Sequence, residues 1–432
     1  MKKISGRALS VLLLALIIIL GMFVYVWRYV EHGQDWALYF SSANSRSSGK
    51  VLDRNGVMLA GFSSDEKLFA EDALTRKSCY HVTGDYWGRT GSGLLQSIQS
   101  GVYDFSVLTG TTTVKNRTFT LTVDSALNNL AYREMGDRKG AVLLTNYKTG
   151  EILCLVSCPS VDPAGGDEEV AEGAYINRCL SASFVPGSVF KLITAAAAIE
   201  NIDDIEDRSF YCDGEYDIAG IKIKCSGTHY SQTFEQALAN SCNCAFAQIA
   251  VMLGQDTMVK YVKQYGFLDS HRLEGIPTAK GSYPLDFVGD PELAWSGIGQ
   301  STVLVCPYSL LRYVSAIANG GVLCEPYLIE DGEPAEKSQL VEKETALKLG
   351  QMMNYNVTAH YGGSETFPGL KLCAKTGTAE LGEDRLPHSW FTGYLEDEEH
   401  PYAFVVLIEE GGGGLSNAGV LANKLLQAAC EG

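Results

Sequence analysis

Residues 184–200 read FVPGSVFKLITAAAAIE, a turn followed by an apolar helix with one charged side chain in its interior. The Pro-Gly pair predicts the turn, and the helix is predicted to start at Ser188. Between residues 189 and 199 the only charge is on Lys191. A lone ammonium in an apolar helix is costly to bury unless it is paired or loses its proton. Since Ser188 and Lys191 lie three residues apart, on one helix face, the pattern predicts a serine activated by a lysine.

A purely structural interpretation of the same residues is available. Ser188 would cap the helix, and Lys191 would extend its ammonium to the protein surface. A Ser-x-x-Lys pattern is expected about once by chance in a chain of this size. The motif alone therefore favours the structural interpretation, and the choice depends on what the rest of the chain contains.

A second candidate element is the segment NSCNCAF, in which Ser241 and Asn243 lie two residues apart. We expect residues 234–254 to be helical with a break or cap near residues 240–241. In an irregular turn, the hydroxyl and the amide can both face one cleft. The hydroxyl can relay a proton to a leaving amine, and the amide can bind a substrate backbone. A helix cap is the structural alternative.

The tripeptide Lys-Thr-Gly occurs twice, at residues 148–150 and 375–377. The first copy is the polar tip between two apolar runs, which predicts a hairpin turn without chemistry. The second copy lies inside a predicted strand, GLKLCAKTGTAE, at residues 369–380. Gly377 inside a strand indicates close approach by another backbone or a ligand.

Around the second copy, Lys375 offers a positive charge for a substrate carboxylate. Thr376 and Thr378 offer hydroxyl groups for the same carboxylate. The N–H groups of an edge strand can also complete an oxyanion hole. The second Lys-Thr-Gly is therefore the candidate with a chemical role.

These elements occur in the order and surroundings that are typical of one known family. The matching segments are PGSVFK, ALANSCN, GIGQ at 297–300, AIANGG at 316–321, and KTGTAE followed by SWFTGY. Over residues 136–432 the chain resembles the penicillin-binding transpeptidases. The preceding part, with VLDRNGVMLA and TLTVDSALNNLA, resembles the N-terminal module of monofunctional class B members. Its size is similar to that of the compact penicillin-binding protein A type. One departure is Phe184-Val185, where the family often has an aromatic-acidic pair.

The resemblance implies an α+β fold. The expected architecture is a penicillin-binding/β-lactamase-like serine transpeptidase domain, with an antiparallel sheet packed between helices. A small β-rich module and one transmembrane helix would precede it. The expected division is a cytoplasmic tail (1–7), a transmembrane anchor (8–28), an N-terminal pedestal or dimerisation-like module (29–135) and the transpeptidase domain (136–432).

The resemblance also implies a peptidoglycan D,D-transpeptidase that cross-links stem peptides and is acylated by β-lactams. Ser188 would be the nucleophile, Lys191 the general base and Ser241 the proton relay to departing D-alanine. The implied substrate-binding residues are Asn243, Lys375, Thr376, Gly377 and Thr378. Backbone N–H groups of Ser188 and Thr378 would form the oxyanion hole. A β-lactamase and a non-catalytic division scaffold or β-lactam sensor are the alternatives.

Charge and hydropathy restrict the partners and the location. The net charge of −17 argues against nucleic acid. Residues 8–27 carry no charge and are long enough to cross a bilayer, and Lys2, Lys3 and Arg7 place the N-terminus in the cytoplasm. We expect an extended connector at 31–48 and a catalytic domain outside a bacterial membrane. The implied partners are stem peptides, lipid-linked glycan strands, a membrane glycan polymerase and division or elongation proteins.

The twelve cysteines leave two possibilities open. Cys212 and Cys225 bracket two short strand-like runs, so a hairpin could join them in a disulfide. A zinc site formed by Cys212, Cys225, Cys242 and Cys244 is the other possibility, although Cys-x-Cys departs from the usual spacer. The seven histidines show no His-x-x-x-His spacing. The sequence therefore predicts no metal and no cofactor in the catalytic site.

Overall fold

The computed structural model describes residues 2–40, 49–62, 67–99, 103–106, 110–113, 117–165, 170–284, 289–332, 335–382 and 384–431. Its helices are α1 (Lys2–Phe40), α2 (Ala73–Ser78), α3 (Tyr80–Thr83), α4 (Leu94–Gln99), α5 (Ser125–Met135), α6 (Lys191–Asn201), α7 (Phe234–Ala239), α8 (Asn243–Gln264), α9 (Asp290–Gly297), α10 (Pro307–Ala318), α11 (Lys343–His360), α12 (Gly363–Thr366) and α13 (Val420–Glu431).

The first eight strands precede α6. They are β1 (Gly49–Leu52), β2 (Met58–Phe62), β3 (Lys67–Phe69), β4 (Tyr103–Ser106), β5 (Gly110–Thr113), β6 (Arg117–Thr120), β7 (Gly140–Asn146) and β8 (Ile152–Cys158). The later strands are β9 (Ser209–Cys212), β10 (Glu215–Ile218), β11 (Ile221–Lys224), β12 (Tyr230–Thr233), β13 (Arg272–Leu273), β14 (Ile276–Pro277), β15 (Val322–Cys324), β16 (Lys337–Gln339), β17 (Leu372–Ala379), β18 (His388–Leu395) and β19 (Tyr402–Ile408).

The central sheet has the strand order β17-β18-β19-β7-β8, and each neighbouring pair is antiparallel. Side chains alternate between its faces. Val142 and Leu144 join a buried cluster with α13, whereas Ala141 and Leu143 join the cluster that includes α6 and α8. Both faces are therefore covered by helices, which is why β8 and β18 are buried along their whole length. The predicted α+β fold, with an antiparallel sheet between helices, is confirmed.

The hairpin predicted at the first Lys-Thr-Gly forms, and a second hairpin lies near the start of the N-terminal part. Strands β1 and β2 pair antiparallel around the Asn-Gly turn, and β7 and β8 pair around the first Lys-Thr-Gly. Lys148 and Thr149 are exposed at that tip, and Gly150 has a φ of 89° that favours glycine. The first Lys-Thr-Gly is a turn, as predicted.

The helix after the Pro-Gly turn begins differently from the prediction. Residues Gly187–Phe190 form a 3₁₀ turn, and α6 starts at Lys191. The Lys191 side chain is fully buried, so it does not extend to the surface. The structural interpretation of Ser188 and Lys191 is therefore wrong. A short 3₁₀ turn before a helix is common, and here it carries Ser188 directly before α6.

The predicted break between α7 and α8 is present. A capping box formed by Thr233 and Gln236 starts α7, and the Cys242 side chain caps α8. Between the helices, Ser241 has a φ of 52°, which is unusual for a residue with a side chain. The left-handed backbone at Ser241 therefore separates α7 from α8.

The N-terminal part differs from the prediction at one segment. Within α1, residues 6–31 form a helix that is long and apolar enough to cross a membrane. The helix continues to Phe40, so the expected extended connector is wrong for residues 31–40, where no proline ends the helix. Residues 41–48 of that connector lie outside the described residues.

The N-terminal sheet has the strand order β3-β2-β1-β6, with β1 parallel to β6. Val51 and Leu121 share a buried cluster with Ile152 and Leu155 of the central sheet. Helix α5 packs against β8 and α13. The two parts therefore share a core, and the division at residue 135 stays a prediction.

Gly377 permits β17 to approach the 3₁₀ turn. A Cβ atom at this position would lie 2.9 Å from Trp390 Cβ, 2.9 Å from Val189 Cγ1 and 3.0 Å from the Pro186 carbonyl oxygen. This contact confirms the close approach predicted for Gly377. Since the nearby backbone has little room to move, even one extra methyl group would force strand and turn apart.

We predict that Gly377→Ala lowers the free energy of unfolding of the detergent-solubilised protein by about 1–3 kcal/mol, because overpacked sites cost that much. Thermal and denaturant unfolding would measure the change. Gly91→Ala is the matched control, since a Cβ there meets nothing within 4 Å. Its effect should stay within about 0.5 kcal/mol. Equal stabilities for the two variants would contradict the assigned role of Gly377.

Candidate active site

The candidate nucleophile and base are adjacent. Lys191 Nζ lies 3.1 Å from Ser188 Oγ, which is within hydrogen-bond reach. The turn that carries Ser188 is held from two sides. The Gly187 N–H donates to the Gly299 carbonyl at 2.9 Å, and Trp390 Nε1 donates to the Val185 carbonyl at 2.9 Å. Strand β18 and the segment after α9 therefore fix the position of Ser188.

The second motif completes the surroundings of Lys191. Its Nζ lies 2.7 Å from Asn243 Oδ1 and 3.4 Å from Ser241 Oγ, and it also donates to the Ser241 carbonyl. The Phe246 ring covers it, with the centroid 5.7 Å from Nζ. The loop between α7 and α8 and the first residue of α8 therefore supply most of the polar partners of this buried amine.

The orientation of the Asn243 amide is fixed by a second contact. Its Nδ2 donates to the Lys224 carbonyl at 2.9 Å. Because only the nitrogen of an amide can donate, Oδ1 must face Lys191. Asn243 therefore orients the amine, besides being the predicted substrate-binding residue.

The third motif reaches the same point from the sheet. Lys375 Nζ donates to Ser241 Oγ at 3.0 Å and to the Thr376 carbonyl at 3.0 Å. Lys375 is fully buried. The Ser241 hydroxyl therefore lies between two lysine side chains, a position suited to passing a proton.

Burial changes the proton affinity of both lysines. It lowers the pKa of Lys191 to about 8, against the opposing effect of the nearby thiols of Cys242, Cys225 and Cys244. Burial and the charge of Lys191 together lower the pKa of Lys375 well below its usual range. Two ammonium groups this close repel each other. A neutral amine at Lys191 is therefore accessible near neutral pH, as a general base requires.

The edge strand β17 presents the remaining predicted residues. Thr378 is exposed on the cleft side, and Thr376 is half-buried. The Tyr361 hydroxyl lies 3.1 Å from Thr376 Oγ1 and accepts from the Thr376 N–H at 3.2 Å. Tyr361 thus fixes the side chain and backbone of one predicted residue.

These residues surround one cleft of about 540 Å³. The structure brings together all eight predicted residues: Ser188, Lys191, Ser241, Asn243, Lys375, Thr376, Gly377 and Thr378. Sequence reasoning missed Tyr361 and Trp295, which have no local signal, and Glu380, whose available signal was the KTGTAE segment that it ends. Gln300 also lines the cleft, and its GIGQ segment was the available signal.

One group of possible metal ligands among the described residues lies beside this cleft. It comprises Cys212, Cys225, His229 and Cys242. The twelve cysteines are free thiols in the structure, Cys212 and Cys225 included. This group shares three cysteines with the zinc site that the sequence allows, but its fourth member is His229 and not Cys244.

Comparisons with known proteins agree with this geometry. The family model for the penicillin-binding protein transpeptidase domain matches residues 140–427. Stage V sporulation protein D of Bacillus subtilis is 31% identical over 289 residues, which cover 61% of this chain and 44% of the relative. Peptidoglycan D,D-transpeptidase PbpA of Mycobacterium tuberculosis is 28% identical over 334 residues, covering 68% and 67%. The chain thus spans only about half to two thirds of these relatives' length.

Solved structures share the fold. The D,D-transpeptidase domain from Eggerthella lenta has a TM-score of 0.74 and 25% identity, covering 90% of this chain and 99% of that chain. The penicillin G acyl-enzyme complex of M. tuberculosis penicillin-binding protein A has a TM-score of 0.74 and 24% identity, with coverages of 90% and 99%. Since the family model matches well over half of the chain, this protein belongs to the penicillin-binding protein transpeptidase family.

Proposed function

We propose that this protein is a peptidoglycan D,D-transpeptidase that uses Ser188 to form an acyl-enzyme. One observation carries the proposal. The Lys191 amine contacts Ser188, Ser241 and Asn243, while Lys375 contacts the same Ser241 hydroxyl from the sheet. Nucleophile, base and proton relay thus form one connected chain.

In the first step, Ser188 Oγ attacks the carbonyl between two D-alanine residues, and Lys191 accepts the hydroxyl proton. The carbonyl π bond opens, and its oxygen takes the negative charge. The N–H groups of Ser188 and Thr378 are the proposed oxyanion donors, since the turn and the edge strand meet at Gly187, whose Cβ would lie 2.6 Å from the Thr378 carbonyl.

In the second step, the bond to the terminal D-alanine breaks. Ser241 donates its proton to the departing amine and is reprotonated from the lysine pair. Lys375, Thr376 and Thr378 bind the terminal carboxylate. Asn243 binds the peptide backbone, and Gly377 keeps the strand close to the nucleophile.

In the last step, the amine of a second stem peptide attacks the acyl-enzyme and releases Ser188. A cross-link between two glycan strands results. β-Lactams mimic the first substrate and acylate Ser188. A β-lactamase differs at this step, because it must activate water to release the acyl group.

The proposal extends to topology and partners. Helix α1 anchors the chain in a bacterial membrane with residues 1–7 in the cytoplasm, so the domain at 136–432 acts on the outside. The module at 29–135 is the pedestal between them. The partners would be stem peptides on lipid-linked glycan strands, a membrane glycan polymerase, and division or elongation proteins.

We predict that benzylpenicillin adds one covalent group to the wild-type protein and to Lys148→Ala, but none to Ser188→Ala. The reason is that Ser188 is the nucleophile, whereas Lys148 lies in an exposed turn. Intact-protein mass spectrometry of the detergent-solubilised protein would measure the adduct.

The time course of the adduct separates the alternatives. A persistent adduct supports the transpeptidase. An adduct that disappears quickly, while penicillin is hydrolysed, would indicate a β-lactamase. Absence of any adduct on the wild-type protein would indicate the non-catalytic scaffold and overturn the proposal.

We predict that the rate of penicillin acylation rises with pH through about 8 and then levels off. The pKa of Lys191 is lowered to about 8, so its neutral, proton-accepting form increases across that range. Lys191→Arg should slow acylation by about 10²–10⁴-fold and remove the rising limb, because a guanidinium stays protonated. Stopped-flow measurement of acylation at each pH provides the test.

Two further variants sharpen this pH experiment. Asn243→Asp places a carboxylate at an oxygen 2.7 Å from Nζ, which should raise the midpoint above that of the wild type. Lys148→Arg makes the same exchange as Lys191→Arg on an exposed turn and should leave the profile unchanged. An unaltered profile in Lys191→Arg would exclude Lys191 as the base.

A further inference from the structure

Four side chains with metal-ligating atoms meet beside the cleft. Cys212 ends β9, Cys225 follows β11, His229 precedes β12, and Cys242 caps α8. Their ligand atoms all lie within 4.8 Å of one another. The local folds explain the meeting, because β9 pairs with β12 and the β10–β11 hairpin returns Cys225 to the same end.

The spacing of the atoms matches a shared tetrahedral ion. Cys225 Sγ lies 3.8 Å from Cys242 Sγ and 3.6 Å from His229 Nδ1. Zinc bonds of about 2.3 Å to sulfur and about 2.0–2.1 Å to nitrogen separate two sulfurs by about 3.8 Å, and a sulfur and a nitrogen by about 3.5–3.6 Å. The sulfur–sulfur and sulfur–nitrogen distances therefore both fit a single zinc ion.

The surrounding backbone suits thiolates. The Asn243 N–H donates to Cys225 Sγ at 3.3 Å, and the Ala245 N–H donates to Cys242 Sγ at 3.4 Å. Both donors belong to the first turn of α8, whose N-terminus favours negative charge. Such outer contacts orient metal ligands and stabilise their charge.

We propose that Cys212, Cys225, His229 and Cys242 bind one Zn²⁺ in a closed structural site. Binding would release the three thiol protons, and the ion would take three thiolate sulfurs and the neutral imidazole Nδ1. Three sulfurs with one imidazole in tetrahedral arrangement select zinc among the common divalent ions. All four positions are filled by protein, so the ion has no open position for substrate.

The site would hold the catalytic loop in place, and this consequence rests on the proposed function. Cys242 lies between Ser241 and Asn243. Cys225 accepts the Asn243 backbone N–H, and the Lys224 carbonyl accepts its side-chain Nδ2. The end of the β10–β11 hairpin therefore holds Asn243 through two hydrogen bonds. A zinc ion would connect this hairpin to the start of α8. These four ligands are positioning residues, because they act through the backbone and side chain of Asn243.

The direct test is metal content. The full-length protein, purified in detergent without chelator and with its thiols reduced, should carry one zinc per chain by inductively coupled plasma mass spectrometry. Replacing zinc by Co²⁺ should produce the intense sulfur-to-cobalt charge-transfer and d–d bands of a tetrahedral thiolate site. Neither readout depends on acylation.

The variants separate specific from incidental binding. Cys225→Ser, Cys242→Ser and His229→Ala should lose the metal or the cobalt spectrum, while His229→Cys should restore both. Cys244→Ala is the discriminating variant and should keep its zinc, because its buried sulfur contacts Cys225, Cys242 and Cys212 but lies outside the proposed ligand set. Loss of zinc from Cys244→Ala but not from His229→Ala would overturn this ligand set.

The remaining outcomes are also decisive. A wild-type chain that takes up neither zinc nor cobalt, or that is two hydrogens lighter through a Cys225–Cys242 disulfide and stays metal-free after reduction, would overturn the site. Ser188→Ala should bind zinc normally while forming no penicillin adduct. Conversely, Cys225→Ser should acylate about 10–100-fold more slowly. Zinc binding without acylation in the wild type would leave the metal site intact and refute the proposed function.

Discussion

The burial of Lys191 is the constraint on which the site depends. A neutral amine has two N–H donors and one lone pair. The Ser241 carbonyl and Asn243 Oδ1 take the donors, which leaves the lone pair facing Ser188 Oγ at 3.1 Å. In the apolar interior an ammonium would be expensive, so burial favours the basic form of Lys191. The convergence of three chain segments is therefore what turns a lysine into a base.

That convergence needs backbones closer than side chains permit. A Cβ at Gly187 would lie 2.6 Å from the Thr378 carbonyl, and one at Gly299 would lie 2.2 Å from the Gly187 carbonyl. Gly377 has the corresponding role on the sheet. Three glycines thus bring the edge strand, the serine turn and the segment after α9 within hydrogen-bond reach of each other. These contacts are close because they are made by main chain.

Residues of the site can be predicted from the sequence where the chemistry requires two particular residue types a few positions apart. Ser188 with Lys191, and Ser241 with Asn243, are recognisable for that reason. Tyr361 is not, because its contact with Thr376 depends on how α11 packs against β17. The length of α1 was mispredicted because residues 31–40 mix polar and apolar side chains without proline, and such a segment is compatible with both helix and connector. His229 became a candidate ligand only through strand pairing, which local spacing does not encode.

The loop that carries Ser241 is held in place by the cluster of Cys212, Cys225, His229 and Cys242. Ser241 has a φ of 52°, and a residue with a side chain in that region stores on the order of 1–3 kcal/mol. Such a conformation persists only where its neighbours are held on both sides. Asn243 is held by Cys225 and by the Lys224 carbonyl, and Cys242 belongs to the cluster itself. Release of the cluster would let Ser241 relax. The Ser241 carbonyl and Asn243 Oδ1 would then move away from Lys191. The loss would therefore affect the general base first and the central sheet only afterwards.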